Sequence, residues 1–480
     1  MRTQYRSFTA VLAGLIVIRL LLMAIIPLTD PTEARYAEIA RIMAESGDWV
    51  TPYFKYGVPF WGKPPLSFWL AAISIKVLGL SEFSIRLPSL LVTILTALLI
   101  HLTTKHYTNS RAAYYSSLIF LSTTLVFVSS GAVFVDPFLV FGTTLSMTSF
   151  VFSIDQKQTS HYWDYLFYAG ITIGLLAKGP LALVIIFGPI LLWMLICKDT
   201  STAIRRLLLS RKALLAAALV LPWYIIAELK TPGFLEYFII GEHFKRFLVS
   251  GWNGDLYGSA HKHPIGSVWS FFFIGVFPWS FILAIPLLKF FKKYRQYTEF
   301  FKMIENKEMT YLFISALFPM IFFTLSKNVL WTYVLPSIPA FSVLLGIYLD
   351  NLSSILHQPT NKIVVTLALI VPSLSLLTIP FLYAYPERVN TDKYSIVNMK
   401  LIMDTKIPLY VAGDISHSAR FYLESKGKFT QRDVMPGVIT DNEAFYVILP
   451  NTGYHQYLSS IKHKKSIQYW GRDFVLIKVY

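Results

Sequence analysis

Apolar runs of about 17–23 residues, separated by short polar turns, recur along most of this 480-residue chain. Crossing roughly 30 Å of hydrocarbon takes about 20 helical residues, so the pattern predicts membrane-spanning helices. They are expected near 8–28, 87–104, 112–131, 137–154, 163–177, 180–197, 213–229, 267–288, 309–325, 333–350 and 363–384. The stretch 66–80 is shorter, follows Pro64-Pro65 and carries Lys76 centrally, which suits an interfacial or re-entrant helix better than a span. Beyond about 386 the period changes. Alternating runs at Pro408–Ala412, Ala444–Leu449 and Asp473–Tyr480, with a helix-like Ser416–Ser425, predict a small α/β domain. The expected architecture is an α-helical polytopic membrane protein of about 11 spans over 1–385, followed by that domain over 386–480.

Charge sets the orientation. Lys105 and Arg111, then Lys198, Arg205, Arg206, Arg211 and Lys212, then Lys289, Lys292, Lys293, Arg295, Lys302 and Lys307 fall in alternate loops. The positive-inside rule puts these loops in the cytoplasm if 66–80 does not cross. The loop 29–86, the Asp136 and Lys178 turns, 230–266, Ser326–Thr332 and the C-terminal region then share the outer face. The N-terminal run has no small-residue cleavage pattern before Pro27 and reads as a retained first span.

Composition agrees: 55% of residues are hydrophobic and only 15% charged, against about a quarter charged in soluble proteins. The net charge of +16 lies in the short loops, so it argues for membrane orientation and against nucleic acid as a partner. One cysteine, Cys197, excludes a disulfide framework and a cysteine-based metal site.

The candidate chemistry crowds the outer loops. In Asp30–Arg41, Glu33 shares a helical face with Ala37, Ala40 and Ala44, and Arg35 lies elsewhere. Asp30 and Glu33 are candidate reactive carboxylates. They would serve equally as helix-capping groups, with Thr29 or Asp30 as cap and Pro31 at the first helical position. Lys63, held in Gly62-Lys-Pro-Pro65, is oriented by stiff backbone. Asp136 and Lys178 stand alone between apolar runs, where a charge is costly unless paired or functional. Helix capping and snorkelling are their plain alternatives. The loop 241–264 holds Glu242, His243 and Arg246, then His261 and His263. Glu242 and His243 point apart on an α-helix, which weighs against a metal. Lys327 and Tyr333 follow at the next outer turn, where interfacial anchoring competes.

Taken in order, Thr32-Glu-Ala-Arg-Tyr-Ala-Glu-Ile-Ala-Arg41, Gly47-Asp-Trp49, Lys63-Pro-Pro65, Asp136-Pro137, Lys178-Gly179, Glu242-His243 and Tyr333 resemble the lipid A aminoarabinose transferases. These belong with the protein O-mannosyltransferase-like enzymes of the GT-C class, and the likeness covers about residues 10–350. It implies transfer of a sugar from a polyprenyl (undecaprenyl) phosphate carrier to an envelope acceptor, lipid A first among them. The reaction would take place at the outer, periplasmic face of a bacterial inner membrane. It implies Glu33, Asp30 or Asp136 as the catalytic carboxylate, since the family's aspartate is here Thr32. Arg35, Lys63, Lys178, His243, Arg246 and Tyr333 are then expected to bind carrier phosphate or substrate. Some relatives hold a metal through a glutamate that is Gly62 here, so no metal and no other cofactor is expected. Two further readings stay open: a protein O-glycosyltransferase of the same superfamily, and a transporter or flippase of lipid-linked sugars. Spans nearly free of charge weigh against the transporter.

Overall fold

The computed structural model describes residues 2–154, 162–198, 207, 210–259, 261–283, 306–355, 360–404, 406–423, 428–430, 444–452, 454–455, 458 and 464–480. Among them, six helices are long and apolar enough to cross a membrane: Arg6–Ile25, Glu82–Tyr107, Asp136–Ile154, Lys212–Lys230, Trp331–Ser353 and Asn361–Ala384. The chain is a multi-pass membrane protein. The other expected spans are shorter or broken helices. The run 112–131 divides into α5 (Ser110–Ser122) and α6 (Thr124–Ser129) at Thr123. Thr123 adopts an extended conformation, and the next amide, Thr124, donates to the Phe277 carbonyl at 2.9 Å. Expected spans 163–177 and 180–197 are the 17-residue helices α8 (Tyr162–Lys178) and α9 (Leu181–Cys197). The helix Ser267–Gly275 opens the expected 267–288 span, whose last residues lie outside the described set.

Local signals set the boundaries. The first long helix, α1 (Arg2–Ile25), is followed by the outer loop. The long helix α4 (Glu82–Tyr107) starts with a capping box, Ser81 and Ser84 exchanging side-chain-to-backbone bonds at 3.1 Å. Helix α7 (Asp136–Ile154) packs closely on α8 through small residues. A Cβ on Gly142 would stand 2.7 Å from the Gly170 carbonyl oxygen, so only glycine permits that backbone approach.

Between α1 and α4 the outer loop folds into α2 (Thr32–Ser46), a short hairpin of β1 (Tyr53–Lys55) and β2 (Val58–Pro59), and α3 (Leu66–Leu78). At 13 residues α3 reaches about 20 Å, too short to span. It buries Phe68, Ala71 and Ala72, exposes Ile73, Val77 and Leu78, and sets Lys76 over the Trp49 ring.

The C-terminal region forms a five-stranded sheet in the order β4-β3-β5-β7-β6, from β3 (Leu409–Ala412), β4 (Lys428–Thr430), β5 (Phe445–Pro450), β6 (Lys465–Trp470) and β7 (Phe474–Val479). Strand β3 runs parallel to β4 and β5, while β7 is antiparallel to β5 and β6. Helices Lys393–Ile402 and His417–Leu423 cover one face through Ile396, Met399, Ala419 and Leu423.

Candidate active site

Helices α7 and α8 are neighbours, so the first residue of one meets the last of the other. Asp136 and Lys178 occupy those two positions and form a nearly buried ion pair. The Lys178 ammonium also lies over the Tyr333 ring, 5.0 Å from its centroid. Gly179 makes the turn at φ +74°, and a Cβ there would come within 2.6 Å of the Phe238 ring. The spacing of this Lys-Gly pair therefore has a steric cause.

The facing wall is a π-helix, Glu236–Lys245, a rare geometry that recurs at functional sites. Its wider turn brings His243 Nδ1 to 2.7 Å from the Phe238 carbonyl, five residues back, and Nε2 to 3.2 Å from the Lys178 carbonyl. His243 thus links the π-helix to the Asp136–Lys178 corner. Glu242, with 5% of its side chain exposed, accepts from Lys63 Nζ at 2.9 Å. It also accepts from Arg246 Nη1 at 3.0 and 3.1 Å and from the Tyr237 hydroxyl at 3.4 Å. Arg246 reaches Asp255 as well, at 3.3 Å. Burial alone would raise the Glu242 carboxyl pKa, but Lys63 and Arg246 more than offset it and hold it at about 2. Two cations and two carboxylates therefore share a largely dry pocket.

The expected carboxylates part company here. Asp136 sits in the cluster, whereas Glu33 does not reach it. Glu33 is gripped by Arg86 in a bidentate pair at 2.8 and 3.0 Å. It also accepts from the amides of Thr29 (3.2 Å) and Val133 (3.4 Å). Arg86 donates in turn to the Met23 and Pro27 carbonyls at 3.0 Å, closing the end of α1. Asp30 does not cap α2, which has no side-chain cap. Instead it accepts from the Ser418 amide at 3.0 Å and from the Ser418 hydroxyl, fastening the loop to the C-terminal region. Glu33 and Asp30 are thus held in structural contacts apart from Asp136.

Arg35 is held by a different set of partners from Lys63. It donates to the Tyr257 carbonyl and lies over the Tyr36 and Phe60 rings. Lys63, Lys178, His243, Arg246 and Tyr333 lie together at this corner. Sequence reasoning missed Arg86, Tyr237 and Asp255. Arg86 alone left a signal, a charge near the start of a span.

His263 packs edge-on to Phe271 and the His261 carbonyl accepts from Val329. Among the described residues no group of three or more His, Cys, Asp or Glu is arranged to hold a metal. At Gly62 a Cβ would lie 2.8 Å from the Phe60 ring, so that ring fills the space a side chain would need.

Solved structures decide the fold. The chain superposes on crystal structures of ArnT from Cupriavidus metallidurans, apo and bound to undecaprenyl phosphate. The TM-score is 0.77 in both cases, at 17% and 18% identity, over 98% of this chain and 97% of that one. The fold is that of ArnT. The archaeal oligosaccharyltransferase AglB from Archaeoglobus fulgidus shares the ArnT-like architecture more distantly, with TM-score 0.51 at 13% identity over 87% of this chain and 63% of AglB. In sequence, the chain is similar to an undecaprenyl phosphate-alpha-4-amino-4-deoxy-L-arabinose arabinosyl transferase of Yersinia enterocolitica, 27% identical over 340 residues. A Yersinia pestis relative of the same name is 29% identical over 343 residues. Both matches cover 70% of this chain but 58% of the relative, less than two thirds of its length. The model of the dolichyl-phosphate-mannose-protein mannosyltransferase family matches residues 4–238. The resemblance to aminoarabinose transferases carried by the motifs is met again in these sequence relatives.

Proposed function

We propose that this protein transfers a sugar from an undecaprenyl-type phosphate carrier to an acceptor, lipid A first among the candidates. The observation that carries this reading is Lys63 and Arg246 converging on one carboxylate beside the Asp136–Lys178 pair. The likeness to an ArnT structure bound to undecaprenyl phosphate supports it. Lys63 and Arg246 neutralise the carrier phosphate as it leaves. Asp136, paired with Lys178, faces the anomeric carbon and stabilises positive charge there. An acceptor phosphate oxygen attacks that carbon while its bond to the carrier phosphate oxygen breaks, releasing polyprenyl phosphate with inversion. A phosphate nucleophile is already anionic and needs no strong base, which tolerates Thr32. The topology proposed with it has eleven spans, the N-terminus in the cytoplasm, and the site and the small α/β domain of 386–480 on the periplasmic face of the inner membrane. Mass spectrometry of lipid A after incubation with the purified protein and an undecaprenyl phosphate sugar tests this. A glycosyl mass is expected with this chain, and its loss with Lys63→Ala. No new mass under turnover conditions would reject the reading, and a sugar found on protein instead would favour the O-glycosyltransferase.

A further inference from the structure

A second cationic cluster lies where the outer loop meets the helix His417–Leu423. Phe54 is its hub. Its ring is 5.2 Å from Tyr257, 6.5 Å from Phe60 and 5.1 Å edge-on to His417, and Lys55 Nζ is 5.6 Å from it. Arg35 lies over Phe60 on the same aromatic floor, and Arg420 enters from the C-terminal helix. The surrounding carboxylates are few. Glu38 and Glu45 are held by Arg41, and Asp30 is held by Ser418. Asp414, 80% exposed, meets Lys55 and, at 3.8 Å, Arg420. Lys55 and Arg420 thus share a carboxylate that stands mostly in water, and Glu38, which also acts on Arg420, is already held by Arg41.

Two buried atoms point the same way. Arg35 Nε and His417 Nδ1 have no hydrogen-bond partner among the described residues. A buried polar atom left so is costly unless a ligand completes it. Burial, with Arg35, Arg420 and Lys55 adding to it, pushes the His417 pKa down to about 3. An anion settling here would relieve that repulsion.

We infer that Arg35, Lys55, His417 and Arg420, over the floor of Phe54, Phe60 and Tyr257, form a second anion site that holds the phosphorylated sugar headgroup of the acceptor. Guanidinium and ammonium groups suit phosphate, and flat ring faces suit the C–H side of a sugar. The site adjoins the carrier cluster: Tyr257 stands 5.8 Å from Tyr237, which donates to Glu242. A Cβ on Gly258 would lie 3.7 Å from Arg35 Nη1 and 3.9 Å from Asp255 Oδ2. A headgroup bound here is delivered to the leaving phosphate. Only this last step rests on the function proposed above.

Equilibrium binding to the full chain in detergent tests the site, with three probes: lipid A, fully dephosphorylated lipid A and undecaprenyl phosphate. Lys55→Glu, at a partly exposed strand position, and the pair Lys55→Ala with His417→Gln should each weaken lipid A binding about 10-fold or more. Both should leave undecaprenyl phosphate binding unchanged. The dephosphorylated lipid should bind wild type weakly, and glucosamine 1-phosphate should compete better than inorganic phosphate. Wild-type affinity for lipid A in Lys55→Glu, or equal competition by inorganic phosphate, overturns the assignment. Lys63→Ala separates the two sites: it should lose undecaprenyl phosphate and keep lipid A. Retained undecaprenyl phosphate binding in Lys63→Ala would reject the carrier reading while leaving this site standing.

Discussion

Glu33 and Glu242 are both inward-facing glutamates held by arginine, yet their surroundings leave different things over. Glu33 itself is held on both carboxylate oxygens. Arg86 meets both carboxylate oxygens and then the carbonyls at the end of α1, so one acid and one cation form a closed unit. Around Glu242 two cations meet one carboxylate, and Asp255 shares Arg246. Lys63 makes a single contact with it and keeps 18% of its side chain exposed. The first arrangement can only be broken; in the second, one anion can be exchanged for another. Charge burial alone therefore does not mark a site. What marks it is cation left with a replaceable partner.

The largest expected effect lies in the closed unit. Arg86→Leu leaves a buried glutamate unpaired and should destabilise the fold by about 3–5 kcal/mol. Loss of the monodisperse peak in detergent gel filtration, or a much lower melting temperature, would register it. A variant with wild-type stability would break the contrast. Next, Asp136→Asn should lower sugar transfer on the order of 10²-fold while the protein remains folded, as read by initial rates on lipid A. Lys63→Ala follows, removing one charge-assisted contact to the carrier phosphate. It should weaken undecaprenyl phosphate binding by about 1.5–3 kcal/mol with little change in melting temperature.

The pH response sharpens the comparison further. The Glu242 carboxyl lies near 2, below its ordinary value of 4.5. Its stabilising contribution is complete above about pH 4.5 and disappears as pH falls through about 2. The gap in melting temperature between wild type and Glu242→Gln should therefore hold from pH 6 to about pH 4.5 and narrow from there to pH 3. A constant gap would mean that the carboxylate's charge does not hold the two cations. The smallest effect is expected at Asp30→Asn, which weakens the bonds to Ser418 at a cost of about 1 kcal/mol. Faster proteolysis of the C-terminal region at unchanged melting temperature of the helical body would report it.

Much of this was legible in the chain. Uninterrupted apolar runs announced the helices because hydropathy over about 20 residues is a strong local signal. Alternation announced β3, β5 and β7 for the same reason. Lys63, Asp136, Lys178 and Tyr333 stood out as polar groups at the edges of apolar runs. The pairings were not legible. Glu242 and Lys63 are 179 positions apart and Arg86 and Glu33 are 53 apart, and no periodicity encodes such contacts. Adjacent Glu242 and His243 were correctly expected to diverge. What each reaches depends on a π-helix, whose wider turn the α-helical spacing does not anticipate.

The fastening of the outer loop also concerns the order of assembly. The Leu28 amide donates to the Tyr422 hydroxyl, the Asp30 amide donates to the Asn390 carbonyl and the Asp30 carboxylate receives Ser418. Each partner emerges from the ribosome more than 350 residues later. The spans can insert one by one as they are made, but the loop that carries Arg35 and Lys63 waits for the sheet to fold. A half-made chain is therefore a membrane protein with an unfinished site. The outer loop takes its final place only once the C-terminal sheet has closed on it.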